Sequence, residues 1–314
     1  MAIHAALLAQ RIGKPVRMIY DRHEDIASTT KRHPAIVRYR SAVSASGRLI
    51  AQDIEVVMDG GAYCTLSPVV LSRGVLHAGG PYECPIVHIR GRSMATNTPP
   101  NSAFRGFGAP QLGFAHELQI ARIADEMGVS PADLRERWAY REGGTTPSGQ
   151  VLHESVAALE VLAEATEAAD YESIRDVSRQ TRAVRWRQAA GAGAGLNSTR
   201  VRSARGIGIA MGWHGAGFTG RGEIMMGSTA GVELGADGVI RLLIVNTEMG
   251  QGTNTVMPMI AAEVLGVEPS EVELAPVDTS IVPNSGPTVA SRTVMIVGGL
   301  ISRAAARLRG IVEE

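Results

Sequence analysis

The chain has 314 residues, of which 45% are hydrophobic and 20% charged, so it can bury one or two sizeable cores. Its 31 basic and 31 acidic residues cancel, which argues against a protein that binds nucleic acid or a membrane surface through charge. The sequence has no apolar run of about 18 residues and no basic-then-apolar leader, so we expect a cytoplasmic protein. The two cysteines, Cys64 and Cys84, are too few to hold an iron–sulfur cluster.

The N-terminal residues predict helices and a hairpin. Helical spacing predicts a helix over residues 1–11, which Gly13 ends, and a short buried strand follows at 16–20. Residues 35–43 and 49–58 alternate between apolar and polar side chains around a Ser-Gly pair, which predicts a β-hairpin.

The next three elements lead to a glycine-rich turn. Residues 67–78 are predicted as a helix, 86–96 as a strand and 111–126 as a largely apolar helix. Between that strand and the last helix lies the motif Asn-Ser-Ala-Phe-Arg-Gly-Phe-Gly-Ala-Pro-Gln, residues 101–111. Its arginine can donate several hydrogen bonds to an oxo or phosphate group, and its phenylalanines offer stacking faces.

The middle of the chain indicates a division into two units. Residues 156–187 are predicted as one charge-rich helix, and the Ala- and Gly-rich segment after it is typical of a linker. We predict a first unit over residues 1–190, a linker at 191–203 and a second unit over 204–314. A hairpin, glycine turn and helix occur in both halves, which predicts two related α+β units.

The second unit contains the motif Glu248-Met249-Gly250-Gln251-Gly252. It lies between a buried strand and a helix, where backbone N–H groups and the positive helix end predict an anion site. Glycine lets a ligand approach the backbone, and the Gln251 amide offers donors and acceptors. The alternative is an ordinary strand–turn–helix with capping residues.

A second helix start follows the loop at 283–287. There Ser291 and Thr293 place hydroxyl groups at the beginning of an apolar helix that runs to about Leu308. Two such helix starts that face one space would suit a large phosphorylated ligand.

These motifs together resemble the molybdenum-cofactor subunit of the xanthine dehydrogenase/aldehyde oxidoreductase family. The resemblance rests on residues 101–111, on residues 248–252 and on the pattern Pro-Asn-x-x-Pro-Thr-x-Ala-Ser at 283–291, and it covers nearly the whole chain. It implies an α+β fold in which molybdopterin, in its plain or cytosine dinucleotide form, is clasped between glycine-rich helix starts. It also implies hydroxylation of an N-heterocycle such as a purine, with water as the oxygen source and electrons passed to [2Fe–2S] and FAD centres on partner chains.

The resemblance assigns roles to individual residues. Arg105 and Gln251 would be the catalytic residues beside the molybdenum, which is held through the pterin and not by a side chain. Cofactor contacts would come from Ala103, Phe104, Arg105, Met249, Gly250, Gln251, Gly252, Thr288, Ala290, Ser291, Arg292 and Thr293. Substrate contacts would come from Arg73, Phe107, Phe218 and Thr219, with the two phenylalanines on opposite faces of a flat ring.

Each assignment has a plainer alternative. The phenylalanines of the first motif could belong to the core, with Arg105 paired to a surface carboxylate. Arg73 could be a solvated helix arginine, and Phe218-Thr219 lies in a glycine-rich loop that could place it anywhere.

The family's general-base glutamate lies in a turn beyond the closing motif, and we find no counterpart in this chain. We therefore expect activity only with partner chains: an iron–sulfur subunit, an FAD subunit and a further piece of the molybdenum subunit. The alternatives are a non-catalytic or truncated pterin-binding fragment, a plain structural subunit and an aldehyde oxidoreductase. The absence of cysteine from residues 103–107 speaks against the carbon monoxide dehydrogenase branch.

Overall fold

The computed structural model describes residues 1–178, 206–218 and 221–313. The chain forms two compact units, Met1–Trp213 and His214–Glu314. Among the described residues, no helix has both the length and the apolar character that a membrane crossing requires.

The N-terminal segment contains two helices and lacks one predicted strand. Helix α1 spans Ala2–Ile12 and ends at Gly13 in the left-handed conformation, as predicted. The strand predicted at 16–20 was wrong, because these residues pair with no strand in the described part of the chain. Helix α2, Arg22–Ser28, was missed, although Asp21 begins it with a capping box.

The first unit is built around a three-stranded sheet. Strand β1, Ala35–Val43, pairs antiparallel with β2, Leu49–Gly61, as the hairpin prediction required. Helix α3, Ser67–His77, leads into β3, Ile86–Ala95, which lies parallel to β2. Alternate residues of β2 are buried beneath α3 and helix α4, Ala109–Met127, in a core that includes Ile54, Val56, Met58, Val70 and Leu112.

Three helical segments follow. Helix α5, Pro131–Trp138, begins after Ser130, whose hydroxyl caps it by accepting the Ala132 N–H. The single helix predicted over 156–187 was wrong in its first part. Helix α6 spans Ala158–Ala168, and the left-handed Asp170 (φ 46°) separates it from a second helical segment at 171–178.

Residues 206–213 pack on the first unit. The Met211 N–H donates to the Glu117 carboxylate over 2.8 Å, and the Trp213 ring lies 5.4 Å from that of His77. The compact units therefore divide after Trp213, ten residues beyond the predicted start at 204. The predicted linker at 191–203 lies outside the described residues.

The second unit repeats the path of the first. In both units an antiparallel hairpin leads through a helix to a third strand, parallel to the second, and then to a closing helix, which confirms the predicted pair of related α+β units. Its apolar core includes Leu242, Met257, Ala261, Val297 and Ile301. Its elements are α7 (Gly222–Met225), β4 (Gly231–Leu234), β5 (Ile240–Leu243), α8 (Thr253–Leu265), a 3₁₀ turn (Pro269–Glu271), β6 (Val272–Leu274), a π-helical turn (Thr293–Gly298) and α9 (Gly299–Glu313).

Candidate functional site

The first motif forms a tight turn between β3 and α4. Gly106, Phe107 and Gly108 are all left-handed, with φ of 85°, 52° and 97°. A Cβ on Gly108 would collide with the Val70 carbonyl of α3, so the close approach of the two helices requires glycine there. Phe107 has no such freedom, and its left-handed backbone is strained.

Arg105 projects from this turn and is exposed. Among the residues that the structure describes, no carboxylate pairs with its guanidinium, so the plainer alternative of a surface ion pair is not supported. Its carbonyl accepts a 2.6 Å hydrogen bond from Arg32, a residue that the sequence did not single out.

The aromatic residues of the turn have different surroundings. Phe104 is 47% exposed, and the Arg32 guanidinium lies 4.6 Å from its ring centroid in a cation–π contact. Phe107 is half-buried and packs against the apolar core. The alternative that the phenylalanines of this motif belong to the core therefore holds for part of the Phe107 ring. Ala103, at the start of the turn, is also half-buried.

Arg73 lies on α3, where it is only 7% exposed. It is therefore not the solvated helix arginine of the plainer alternative. Burial lowers the pKa of its guanidinium, because removal from water disfavours the charged form.

The second motif has a feature that the sequence analysis missed. The Glu248 carboxylate accepts the N–H groups of Gly250, Gly252 and Asn254, over 2.7, 3.2 and 3.1 Å. These bonds, the one from Asn254 first, lower the pKa of Glu248. The anion site predicted at this helix start is thus occupied by the chain's own carboxylate. The sequence signal for this arrangement was Glu248 itself, an acidic residue two positions before Gly250 at a helix start.

Gln251 folds back on the same turn. Its amide nitrogen donates to the Thr247 carbonyl and the Thr253 hydroxyl, each over 2.7 Å, and its amide oxygen accepts the Met249 N–H over 2.7 Å. Both amide donor hydrogens are therefore used within the chain, and the amide oxygen keeps one lone pair for another donor. Met249 itself is exposed.

The outer side of this turn has room for a ligand. Gly250 and Gly252 are left-handed, and a Cβ added to either would meet no atom within 4 Å. A flat ligand could therefore approach the backbone there. Because Glu248 fills the anion position, the turn fits an uncharged hydrogen-bonding ring such as a pterin better than it fits a phosphate.

The closing motif carries a second strained turn. Ala290 and Ser291 are both left-handed, with φ of 53° and 54°, and only Arg292 separates them from the π-helical turn that leads into α9. The Ala290 carbonyl accepts the Gly217 N–H over 2.7 Å, and the Thr288 hydroxyl accepts the Thr247 N–H over 2.9 Å. The first N–H groups of a helix, here at Thr293, lack partners within it and favour an anion.

Arg292 has a structural role that the sequence did not predict. Its side chain is 1% exposed and donates to Glu223, to the Pro287 carbonyl and to the Ser228 hydroxyl. Glu223 also accepts the Phe218 N–H over 2.9 Å, so one carboxylate connects the closing motif with the loop of Phe218. The bond from Arg292 is the main cause that lowers the pKa of Glu223. Thr219 lies outside the described residues.

Comparison with known proteins identifies the class. Residues 1–139 and residues 179–314 each match a model of the molybdopterin cofactor-binding domain. The two units with their glycine-turn helix starts are thus molybdopterin cofactor-binding domains. The chain belongs to the xanthine dehydrogenase and aldehyde oxidoreductase family of molybdopterin-binding proteins.

Its relatives are longer proteins. It is 33% identical over 303 residues to xanthine dehydrogenase of Emericella nidulans, a match that covers 96% of this chain and 21% of that protein. It is 39% identical over 166 residues to the nicotinate dehydrogenase large molybdopterin subunit of Eubacterium barkeri, covering 53% of this chain and 39% of the relative. The solved structure of aldehyde oxidoreductase from Desulfovibrio gigas superposes with a TM-score of 0.80 at 29% identity, over 96% of this chain and 31% of that one. The chain thus spans between a fifth and two fifths of these relatives.

Proposed function

We propose that this chain is the molybdopterin-binding part of a molybdenum hydroxylase that oxidises an N-heterocycle such as a purine, with water as the oxygen source. The proposal is supported by the two matched domains and by relatives named for xanthine and nicotinate. When bound, the molybdenum cofactor supplies the redox chemistry, and the protein supplies binding, orientation and electrostatics.

Arg105 is the observation that carries the proposal. Its exposed guanidinium has no carboxylate partner among the described residues, and it projects from a strained turn at the start of α4. Strain of this kind persists mainly where function requires it. A guanidinium so placed can donate several hydrogen bonds to oxygen atoms of a bound group and hold them in one orientation.

We assign the remaining residues separately in each unit. In the first, Phe107 would contact the flat substrate ring, and Arg73 would bind its edge. In the second, the pterin would lie along the open side of Gly250–Gly252, and its phosphate would bind near Ser291 and Thr293.

We further propose that the electrons leave through [2Fe–2S] and FAD centres on an iron–sulfur subunit and an FAD subunit, with a further piece of the molybdenum subunit in the complex. The relative from Eubacterium barkeri is itself named as one subunit of a larger enzyme. The cytosine dinucleotide form of the cofactor and a cytoplasmic location stay predictions.

The test is to purify the chain from its native host with its co-purifying proteins and to measure molybdenum, iron and flavin per copy. We expect about one molybdenum per chain, with iron and flavin in the partners. In that complex, Arg105→Ala should lower the rate of purine and nicotinate oxidation by a hundredfold or more. This matches the loss of about 10²–10³ in kcat seen when one preorganised hydrogen-bond donor is removed. Arg122→Ala is the matched control, because Arg122 is an exposed arginine on α4, the helix that follows the turn of Arg105.

An unchanged rate in Arg105→Ala would contradict the assignment of this site. Faster turnover of aldehydes than of heterocycles would favour the aldehyde oxidoreductase alternative. A chain that holds molybdopterin but oxidises none of these substrates would favour the non-catalytic pterin-binding alternative.

A further inference from the structure

Residues 31–33, between α2 and β1, run beside the turn at 103–108. The Lys31 carbonyl accepts the Ser102 N–H over 3.0 Å, before the turn, and the His33 carbonyl accepts the Gln111 side-chain amide over 3.2 Å, after it. This short segment is thus hydrogen-bonded to the chain on both sides of the turn.

Arg32 lies in the middle of that segment and contacts the turn itself. Its guanidinium donates to the Arg105 carbonyl over 2.6 Å, reaches the Gln111 side-chain oxygen at 3.5 Å and covers the Phe104 ring. One planar group therefore holds a backbone atom, a helix side chain and an aromatic face. The Arg32 side chain is half-buried, and this partial removal from water lowers the pKa of its guanidinium.

The turn requires such a restraint. The Arg105 carbonyl directly precedes the left-handed Gly106, Phe107 and Gly108. A strained backbone persists only where its surroundings fix it. The hydrogen bond to a charged donor is among the stronger restraints available, and it acts at the residue whose side chain projects outward.

We propose that Arg32 is the positioning residue of this turn: it fixes the Arg105 carbonyl and the Phe104 ring, and so sets the direction in which the Arg105 side chain leaves the backbone. The consequence for catalysis rests on the proposed function, whereas the restraint on the turn does not. Lysine cannot replace it fully, because an ammonium group lacks the planar fork that donates in two directions and stacks on a ring.

The first test is hydrogen exchange in the full chain with Arg32→Met and Arg32→Lys. The amides of Phe107 and Ala109 are hydrogen-bonded within the turn and report its opening. We expect their exchange to rise about tenfold in Arg32→Met and less in Arg32→Lys, with β2 unchanged. Arg38→Met is the control, since Arg38 is an exposed arginine on β1 that pairs with Glu55.

Two exchange results would overturn the proposal. One is wild-type exchange at Phe107 and Ala109 in Arg32→Met. The other is an equal rise in β2, which would mean that Arg32 only supports the fold of the first unit. Neither result depends on the presence of molybdenum.

The second test uses the molybdenum-containing complex. If Arg32 acts through the placement of Arg105, Arg32→Met should lower kcat about ten- to hundredfold, leave KM within about twofold and leave molybdenum content unchanged. Arg32→Lys should recover part of the rate. A wild-type complex without molybdenum would overturn the proposed function while the exchange result still decides the role of Arg32; an unchanged kcat in a molybdenum-loaded Arg32→Met complex would overturn the positioning role alone.

Discussion

The two units follow the same path but hold their strained turns differently. In each unit, a non-glycine residue adopts the left-handed conformation within three residues of the closing helical segment, at Phe107 in the first unit and at Ala290-Ser291 in the second. An arginine side chain donates to a backbone carbonyl of each of these segments: Arg32 to Arg105 and Arg292 to Pro287. Each unit therefore combines a strained turn with an arginine that is hydrogen-bonded to the backbone of that segment.

The difference lies in burial and in charge. Arg292 is almost fully buried and neutralised by Glu223, whereas Arg32 is half-buried and covers an aromatic ring. The arginine within the first turn, Arg105, is exposed and projects outward. The arginine within the second, Arg292, is buried and forms a structural ion pair with Glu223. Both turns are strained, but only the first has an exposed charge. The resemblance of the motifs alone does not show which arginine is exposed and which is buried.

The largest effect should come from breaking the buried pair. Arg292→Met removes the arginine that pairs with Glu223 and, with it, the donors to Ser228 and Pro287. We expect the second unit to lose about 2–3 kcal/mol, somewhat less than a fully buried pair because Glu223 is 25% exposed. Urea unfolding, monitored by the hydrogen exchange of amides in α8, measures this loss in the second unit.

The control for that substitution is Arg307→Met, on the exposed side of α9, which should change the stability by less than about 0.5 kcal/mol. Equal effects of the two substitutions would show that the Arg292–Glu223 pair does not stabilise the second turn.

Glycine substitutions in the two turns should have effects of opposite sign. Phe107→Gly relieves strain but removes a ring that packs on the core, so we expect a net loss of about 2 kcal/mol. Ser291→Gly relieves strain at an exposed residue, so we expect a net gain of about 0.5 kcal/mol after the added freedom of the unfolded chain is counted. Thermal unfolding gives both values, and Ala306→Gly on α9 should lose about 1 kcal/mol as a helix control. A loss in Ser291→Gly comparable to that control would mean that the second turn is not strained.

The sequence predicted the local features of this fold well. Alternation around Ser46-Gly47 predicted the hairpin, and Gly13 ends its helix in the left-handed conformation, as predicted. The strand predicted at 16–20 was wrong because a short, largely apolar segment shows only that it could pair, not that a partner strand exists. Strand β6, Val272–Leu274, was missed because three residues are too few to show a period.

The candidate site shows the same limit. Glycines and hydroxyl residues marked both turns, because they are needed locally. Arg32 lies 73 residues from Arg105, and Glu223 lies 69 residues from Arg292, so no local pattern connects either pair. Glu248 was within reach of local reasoning, since its partners follow within six residues. Free N–H groups at a helix start suggest an external anion, whereas here a carboxylate of the turn itself accepts them.

The smallest expected effect concerns that carboxylate, which fills the helix start in the second unit. The pKa of Glu248 is lowered in the folded chain, first by the Asn254 N–H, so the unfolded chain binds this proton at a higher pH than the folded one. The contribution of Glu248 to stability is therefore complete above the ordinary glutamate pKa of about 4.3 and is lost as the pH falls through the lowered value. We expect the amide resonances of Gly250, Gly252 and Asn254 to shift together below about pH 4.3. Glu248→Gln should remove this shared titration, and Glu263→Gln, at an exposed position on α8, should leave it intact. If the three amides still titrate together in Glu248→Gln, another acid accepts the N–H groups of the turn. The inference that this turn suits an uncharged ring because Glu248 fills its anion position would then be wrong.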